Sequence, residues 1–553
     1  MWYNTGIMKS IAENANDFVD LRTADGGNCV YVDKTDYFHR LVTAGSKKLF
    51  FIARPRRFGK SLMITTFKYI FEGRREFFKG LKIDRTDYDW KVHPVIHIDF
   101  SLCARETHAA FMDEMPAVVK TAIAKSGFAY DAAESPAVNF LNAIEWHFAQ
   151  GKPCVVLIDE YDDPVAKALA NPAEAELIRS ELAGIYGKIK GKTHMIRFLM
   201  ITGVSKFTKM SVFSALSNLT DISPLPEYAE MLGYTEDELD EYFGEHMAAH
   251  AKVMGLSDAA YRAELKRWYN GYRFSPKKPV TVYNPVSTGL TFANPDDEFH
   301  GTWTATGRPS MLMNFIKREG LLAIDYENGV TARENDFDVT DIRNLRAVAM
   351  LYQTGYLTIK GYEDGDYLLG IPDEEVRRDL LLLVAAEAAE ADEGWVGDTV
   401  RHLRRCEFDD FFAGLRSLFA HLPYGSKEGR VHEMSYERAL KILFWSQGLE
   451  VVTEDTQSAG RADIVVKYRK AIYVFELKRD GTAAEALAQI CEKGYAQPYL
   501  ADGRPVYLIG LAFDLGTRQL VDASWERGTP LRPFRSGSSG CCSSPRTGSR
   551  NEG

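Results

Sequence analysis

The first candidate chemistry lies in FIARPRRFGKSL, residues 51–62, where an apolar strand pattern runs into a Gly-Lys-Ser turn and an apolar helix pattern. In such a loop, backbone N–H groups and the positive end of the following helix converge on a phosphate, and a lysine reaches the outer phosphates. We therefore predict a phosphate-binding P-loop at Gly59, Lys60 and Ser61, with Ser61 as a magnesium ligand. Arg54 stands where the usual motif has its first glycine, so the loop is atypical.

A second segment, CVVLIDEYDD at residues 154–163, is an apolar run that ends in acids. The run is long enough for one buried parallel strand. In metal-dependent phosphoryl transfer, Asp159 would hold the magnesium through water and Glu160 would polarise the attacking water. Apolar runs also end at ordinary polar turns, but the two segments together predict binding of a nucleoside triphosphate with Mg²⁺.

Three arginines of the loop add permanent positive charge: Arg54, Arg56 and Arg57. Guanidinium groups suit phosphate oxygens, and one of the three could stabilise charge that develops during hydrolysis. The alternative is that at least one faces solvent or a neighbouring acid. We expect one of them to contact phosphate, and the sequence does not select which.

Length and composition restrict the fold and its location. The 553 residues suffice for two to four domains, and 67 Lys and Arg against 77 Asp and Glu give a net charge of −10. Any nucleic-acid contact must therefore come from a local basic surface. We find no signal-peptide pattern at the start and no apolar run of the ~20 residues that a membrane span requires, so we expect a soluble, cytoplasmic protein. The seven scattered cysteines include no CxxC pair, which favours reduced thiols without structural zinc.

Strand and helix patterns alternate through the first half of the chain, which is typical of a parallel sheet with helices on both faces. After the P-loop helix, the strand patterns lie at residues 95–101, 154–159 and 197–205, and the helix patterns lie near 107–125, 137–149 and 174–190.

Two polar residues at strand ends are further candidates for the nucleotide site. Thr202, followed by Ser205 and Lys206, stands where NTPases with an inserted strand sense the γ-phosphate, although a threonine at a strand end is also unremarkable. Asp99 could line the same crevice, where ligands of open α/β sheets bind, or could cap a turn.

The region from about 205 to 335 has mainly helical patterns. Residues 235–238 form a capping box that predicts a helix through Tyr242 and Phe243. WYNGYRF at 268–274 has two interpretations: Arg273 could reach the nucleotide from a helical lid, or the segment could be a buried aromatic turn.

Residues from about 340 to 425 read as a connector. A helix is predicted over 343–352, and YLTIKGYEDGDYLLGIP at 356–372 predicts a hairpin around an Asp-Gly turn. A helix followed by a hairpin could be a winged-helix-like unit that contacts DNA, or an inert spacer.

A second candidate site lies in GRADIVVKYRKAIYVFELK, residues 460–478. Strand alternation places Glu476 and Lys478 on one face, beside Asp463 on the adjoining strand. Two carboxylates can share a divalent cation while the lysine activates water, which suits phosphodiester hydrolysis. Glu433, on the preceding helix pattern, is a candidate additional metal ligand. Two acids and a lysine are also common on solvated hairpins, so the spacing alone leaves both interpretations open.

The chain ends in RSGSSGCCSSPRTGSRNEG, residues 535–553, which is rich in Ser and Gly and contains no apolar residue beyond Cys541 and Cys542. It cannot bury a core, and we expect disorder over 531–553.

Five motifs occur in an order that resembles a known family: RPRRFGKSL, VLIDEYDDP, ITGVSKFTKMSVFSALSNLTDIS, WYNGYRF and VYNPVS. Together they resemble the AAA-ATPase-like family that carries a C-terminal PD-(D/E)XK nuclease domain, over about 18–525. In that family an arginine replaces the first P-loop glycine, as Arg54 does here. The positions of Asp463, Glu476 and Lys478 resemble the nuclease core, with Gln489 and Tyr495 on the next helix in a QxxxxxY arrangement.

The resemblance implies an α/β fold: a P-loop NTPase core of the additional-strand class with a helical lid, plus a C-terminal restriction-endonuclease-like domain. We expect the core at 15–225, the lid at 226–335, the connector at 336–425 and the nuclease-like domain at 426–530. The implied cofactors are ATP and Mg²⁺, with Mn²⁺ as an alternative at the nuclease-like site.

Two classes of function fit these residues. One is an ATP-hydrolysing enzyme that couples turnover to a metal-dependent nuclease acting on nucleic acid, DNA in preference to RNA. The other is an ATP-switched regulatory or scaffolding protein whose nuclease-like domain only binds nucleic acid or protein. A homo-oligomer is compatible with both.

Overall fold

The computed structural model describes residues 8–12, 15–206, 216, 218–294, 296, 298–303, 328–337, 347–421, 436–452, 462–514, 516–517 and 519–529. The chain divides into two compact units, Met1–Phe315 with Asp325–Val376 and Ile316–Ile324 with Arg377–Gly553. The division falls inside the connector predicted at 336–425, so the connector is shared between the units. In the described part of the chain, no helix combines the length and the apolar character needed to cross a membrane.

A five-stranded parallel sheet forms the centre of the first unit. Its strands in sheet order are β2-β3-β4-β1-β5. The bounds are β1 (Leu49–Ala53), β2 (Val95–Asp99), β3 (Val155–Asp159), β4 (Phe198–Gly203) and β5 (Thr220–Asp221). Every residue of β1, β3 and β4 is buried, as expected for apolar runs covered on both faces. The predicted parallel α/β sheet is confirmed.

The helices of this core start where the sequence supplies caps. Thr107, Ser135 and Asn171 each accept a hydrogen bond from a backbone N–H of the first turn of the helix that follows. Proline occupies the first position of two of these helices, where its missing N–H costs nothing. The helices are Phe18–Thr23, Thr35–Val42, Lys60–Phe71, His108–Lys125, Pro136–Ala149, Asp163–Ala168 and Pro172–Lys188.

A mainly helical part follows the sheet in the first unit. The predicted capping box is present, with reciprocal bonds between Thr235 and Glu238 at the start of the first helix. The helices pack on one buried cluster that includes Val30 and Val32 from the N-terminal region. The elements are the helices Glu236–Val253, Asp258–Tyr269 and Pro285–Ala293, with β6 (Asn270–Tyr272) and β7 (Val282–Tyr283) pairing between the last two helices.

The predicted hairpin is present in the first unit as β9 (Thr358–Glu363) and β10 (Asp366–Gly370). Asp364 and Gly365 between them have φ of 51° and 91°, as a tight Asp-Gly hairpin turn requires. A third strand, β8 (Val330–Arg333), pairs with β10. The helices of this part are Glu334–Phe337 and Ala347–Thr354, and residues 343–346 of the predicted helix lie outside the described residues.

The second unit is built on a mixed five-stranded sheet in sequential order, β11-β12-β13-β14-β15. Only β13 and β14 are parallel, and the helix Ala483–Lys493 connects them. The strands are β11 (Glu450–Val452), β12 (Ile464–Tyr468), β13 (Ala471–Arg479), β14 (Val506–Phe513) and β15 (Leu520–Arg527). The other helices are Glu393–Arg404, Phe408–His421, Tyr436–Ser446 and Gln497–Leu500, and Glu374–Ala388 carries the chain from the first unit into the second.

Candidate functional sites

The loop between β1 and the helix Lys60–Phe71 has the backbone geometry of an anion cradle. Arg57 and Gly59 have φ of 69° and 79°, so the chain turns through the left-handed region twice before the helix begins. Gly59 is the residue before the helix, and its carbonyl accepts from the N–H of Met63. The free N–H groups of the first helical turn therefore face the region that the loop encloses.

The acidic strand end meets this loop directly. Asp159 is the last residue of β3, and it lines the same cavity as Ser61, which is close enough to act on the pKa of the Asp159 carboxyl. The Lys60 ammonium lies 3.3 Å from Glu160 Oε1 and 3.3 Å from the Pro55 carbonyl oxygen. The two sequence segments that suggested a triphosphate site are therefore brought together.

One cavity of about 840 Å³ collects these residues. Its volume falls within the usual range of small-molecule sites. The chemistry-bearing residues among its lining include Arg56, Arg57, Gly59, Lys60, Ser61, Asp99, Asp159, Glu160 and Asp163.

The electrostatics of Asp159 favour a cation at this place. Its side chain is 2% exposed, and burial together with the neighbouring Glu160 raises its pKa to about 7. The neighbouring Ser61 hydroxyl and the charge of Lys60 oppose that rise in the pKa. A divalent cation would stabilise the ionised carboxylate, so Ser61 and Asp159 fit the predicted magnesium ligands.

Asp99 satisfies both interpretations made from the sequence. It lines the cavity, and its carboxylate also accepts from the N–H and the hydroxyl of Ser101, at 3.0 Å and 2.7 Å. The two hydrogen bonds from Ser101 therefore hold the Asp99 carboxylate at the edge of the cavity.

Of the three loop arginines, Arg54 is the one that does not line the cavity. Its side chain is 2% exposed, and its guanidinium donates to the carbonyls of Ala53, Ser223 and Tyr228 at 2.9–3.2 Å. The guanidinium carbon also lies 4.1 Å from the ring centre of Phe274. These three carbonyls hold the guanidinium charge away from the cavity. Arg54 therefore stabilises the P-loop from the side that faces away from the site.

The other two arginines line the cavity but already contact neighbours. Arg56 lies 3.8 Å from the Asp163 carboxylate. Arg57 donates to the Thr302 hydroxyl at 3.0 Å, and that hydroxyl donates to buried Glu375 at 2.9 Å. Thr302 thus links Arg57 to the carboxylate of Glu375, and this chain of hydrogen bonds holds Arg57 in the cavity wall.

The sensor candidate Thr202 and the two polar residues that follow it, Ser205 and Lys206, have different surroundings. Thr202 lies in β4 and is fully buried, and its Oγ has no hydrogen-bond partner among the described residues and is not part of the cavity lining. Ser205 donates its N–H to Asp162, and Lys206 pairs with Asp221 at 3.0 Å. The last two residues therefore fix the loop after β4.

Arg273 does not reach the nucleotide cavity. Its guanidinium donates to the backbone carbonyls of Ser275 and Pro276, and the neighbouring Tyr272 is buried. WYNGYRF is therefore the buried aromatic turn, because its arginine closes its own loop.

The sequence motifs missed one wall of the cavity, to which residues 11–12 and 15–21 contribute. This segment is pinned to the P-loop helix by bonds from Phe18 N–H to Thr65 Oγ and from the Tyr69 hydroxyl to Asp17, at 3.1 Å and 3.2 Å. Apolar members of the wall carry no motif, and only the Asp17 cap of the helix Phe18–Thr23 could have indicated it. The apolar lining comprises Ile11, Val30, Tyr234, Phe243 and Val286.

A second cluster of predicted residues assembles in the second unit. Asp463, immediately before β12, accepts from the N–H of Leu477 at 2.7 Å. Lys478 lies 3.3 Å from Glu476 on the same face of β13. Gln489 joins both, since its amide donates to Glu476 and its oxygen accepts from Lys478.

Glu476 has the properties of a cation ligand. Its side chain is 3% exposed, and burial with the neighbouring Asp463 raises its pKa to about 7. One of its carboxylate oxygens is buried with no hydrogen-bond partner among the described residues. A divalent cation would satisfy that oxygen, so Asp463 and Glu476 fit a shared metal.

Two details of this cluster differ from the sequence analysis. Glu433 lies outside the described residues, whereas Glu437, in the first turn of the helix Tyr436–Ser446, is close enough to raise the pKa of Asp463. Tyr495 lies beyond the helix Ala483–Lys493, which ends at Gly494, although its hydroxyl accepts from Gln489 at 3.4 Å. The left-handed Gly494 ends the helix earlier than the motif suggested.

Comparisons with known proteins match two regions of the chain to families. Residues 14–213 match the family described as predicted AAA-ATPase, and residues 431–523 match the PD-(D/E)XK nuclease superfamily. The chain is 34% identical over 521 residues to a protein of Azotobacter chroococcum mcd 1 described as "Uncharacterized protein in vnfD 5′ region", which covers 90% of this chain and 95% of the relative. The chain therefore belongs to the AAA-ATPase-like family that carries a C-terminal PD-(D/E)XK nuclease-superfamily domain.

Proposed function

We propose that the chain binds and hydrolyses ATP at the P-loop cavity and that this turnover controls metal-dependent cleavage of nucleic acid at the Asp463 cluster. One observation carries the first half: Lys60 and Ser61 of the loop line the same cavity as Asp159 and Glu160 of the acidic strand end, and the Lys60 ammonium lies 3.3 Å from Glu160. Magnesium bound there would neutralise charge on the phosphates.

Five residues of the cavity have a role in this proposal. Lys60 leaves Glu160 for the outer phosphates, and Ser61 with Asp159 holds the cation. Glu160, released from Lys60, orients and polarises the attacking water. Arg57 contacts phosphate from the cavity wall, in place of the excluded Arg54.

The apolar side of the cavity would receive the base and ribose. Ile11, Tyr234 and Val286 provide apolar surface in the same cavity as the phosphate-binding residues. Aromatic and aliphatic walls with a few polar groups are typical of nucleotide sites.

The strand order supports the additional-strand class of P-loop NTPases, because β4 lies between β1 and β3. The helices from Glu236 to Ala293 are proposed to be the lid, since Tyr234, Phe243 and Val286 from this part line the cavity.

At the second site, Asp463 and Glu476 would hold Mg²⁺ or Mn²⁺, and Lys478 would position and activate water. Glu437 is proposed as a further ligand, in addition to the earlier candidate Glu433. Gln489 is a positioning residue, because it contacts both Glu476 and Lys478.

Measurements of both activities on the full chain test this proposal. Asp463→Ala should abolish cleavage of duplex DNA and leave ATP turnover unchanged, whereas exposed Asp409→Ala should change neither. Lys60→Ala should remove ATP turnover and, with it, the part of cleavage that depends on ATP. A wild-type chain that hydrolyses ATP but cuts no DNA or RNA with Mg²⁺ or Mn²⁺ would instead support the ATP-switched regulatory protein.

A further inference from the structure

The turn between β12 and β13 presents positive charge around an aromatic ring. Arg469 and Lys470 form the turn and are exposed. The guanidinium carbons of Arg404 and Arg469 lie 5.6 Å and 5.9 Å from the centre of the Tyr468 ring. Two cations therefore share one aromatic side chain.

Two further contacts fix the arginines beside this turn. Arg404 donates to the Gln447 carbonyl at 2.6 Å, and its Nε is buried without a hydrogen-bond partner among the described residues. Arg378 packs so closely on Gly448 that a Cβ there would lie 2.5 Å from its guanidinium. The turn at residues 447–448 thus contacts Arg378 and Arg404 and holds these two side chains near the β12–β13 hairpin.

These cations are close enough to repel one another. Arg378 and Arg469 each add to the effect of burial in lowering the pKa of Arg404. Holding like charges together costs free energy, and a polyanion would offset that cost. The net charge of the chain is −10, so this concentration of positive charge is local.

The charged turn lies at the opposite end of the hairpin from the proposed cutting site. Tyr468 pairs with Ala471 at the turn, and Ile464 pairs with Phe475 near Asp463. At about 3.3 Å per residue, the five steps along the strand from Asp463 to Tyr468 span roughly 16 Å. That length corresponds to about five steps of a DNA duplex.

We propose that this end of the hairpin binds the sugar-phosphate backbone of double-stranded DNA, through a surface that comprises Arg378, Arg404, Tyr468, Arg469 and Lys470. The inference rests on the proposed function, because it assumes that nucleic acid is the substrate of the Asp463 cluster. Guanidinium forks and a tyrosine hydroxyl bind phosphate without reading sequence. A stiff duplex held at the turn would be delivered to the far end of the hairpin.

Binding of a fluorescein-labelled DNA duplex to the full chain, measured by anisotropy, tests the surface. Asp463→Asn is present in every sample, so that no cleavage occurs. The variant R469A/K470A removes two exposed charges, and the control R416A/R527A removes two exposed charges from Phe408–His421 and β15. Affinity should fall about tenfold and the slope of log K against log salt by about 1.8 for the first pair only.

Equal affinity and equal slopes for the two pairs would overturn the assignment of this surface, as would absence of duplex DNA binding by the Asp463→Asn chain. Tighter binding of duplex RNA, lost in R469A/K470A, would overturn the choice of DNA. ATP turnover by the chain with Asp463 intact is measured separately, so failure of this surface is distinguishable from failure of the proposed ATPase.

Discussion

The Lys60 ammonium lies 3.3 Å from the Glu160 carboxylate, although the sequence suggested that Lys60 binds the outer phosphates and that Glu160 polarises the attacking water. A phosphate that enters the loop would compete with Glu160 for the lysine. Glu160 would then be free to act on water, so nucleotide binding and the activation of the base would be one event.

Replacement of Glu160 by glutamine should separate binding from chemistry. E160Q keeps the size of the side chain but cannot accept a proton, so we expect the turnover number for ATP to fall by about 100-fold or more. The affinity for ATP should be unchanged or higher, because Lys60 loses its competing anion. Isothermal titration with ATP and a phosphate-release assay measure the two quantities. Undiminished turnover would exclude Glu160 as the base.

Lys60→Ala should impair ATP binding as well as turnover. Without the ammonium group, ATP binding should weaken and turnover should fall roughly 100-fold, because a buried phosphate contact is lost. Exposed Lys79→Ala is the matched control for removal of a positive charge and should behave as wild type. Normal ATP hydrolysis by Lys60→Ala would contradict the P-loop assignment.

Arg54→Met should affect stability rather than nucleotide binding. The methionine keeps much of the apolar stem but leaves the carbonyls of Ala53, Ser223 and Tyr228 without their donor, so the free energy of unfolding of the first unit should fall by about 3 kcal/mol. The partly exposed Arg56→Met should cost less than ~1 kcal/mol. Urea midpoints followed by tryptophan fluorescence compare the two. Loss of ATP affinity in Arg54→Met at an unchanged midpoint would restore its phosphate role.

Local patterns predicted the elements and the two clusters well. The apolar runs of β1, β3 and β4, the capping box at Thr235 and the Asp-Gly hairpin turn all depend on neighbours in the sequence, and all are present. Glu476 and Lys478 share a face because side chains on a strand alternate, a rule that needs no tertiary information.

Contacts between residues far apart in the sequence determine the features of the site that local patterns could not predict. Three loop arginines look equivalent in RPRRF, but only the fold brings the carbonyls of Ser223 and Tyr228 to Arg54 and Thr302 to Arg57. The N-terminal wall of the cavity was missed for the same reason, since residues such as Ile11 acquire a role only through the helices that they contact.

Metal binding at the second site should depend on pH near neutrality. Burial and the neighbouring Asp463 raise the pKa of Glu476 to about 7, so protons compete with the cation below that value. The affinity for Mn²⁺ should fall by up to about tenfold per pH unit on acidification below pH 7 and level off above it. Isothermal titration with Mn²⁺ at several pH values measures this dependence.

The same raised pKa has the opposite effect on folding. The native state binds the proton of Glu476 more tightly than the unfolded chain, whose glutamate titrates near its usual value of about 4.5. In the absence of metal, this group should therefore lower stability as pH rises from about 4.5 to 7, and Glu476→Gln should remove that slope.

For the metal-binding prediction, a Mn²⁺ affinity that does not change with pH would contradict the assignment of Glu476 as a ligand.

Gln489→Leu should impair cleavage while leaving ATP turnover intact. The amide of Gln489 donates to Glu476 and its oxygen accepts from Lys478, so leucine removes both supports without adding charge. Residues that orient metal ligands contribute about 10–100-fold to activity or metal affinity, and we expect a loss of cleavage in that range. Because Glu476 would lose a donor to its charged form, its pKa should rise, and the pH profile of Mn²⁺ binding should move to higher pH.

Tyr495→Phe, which removes only the more distant hydroxyl partner of Gln489 at 3.4 Å, is the matched control and should change cleavage little. If Gln489→Leu lowers cleavage without moving the pH profile, the side chain acts through packing alone and its positioning role is excluded.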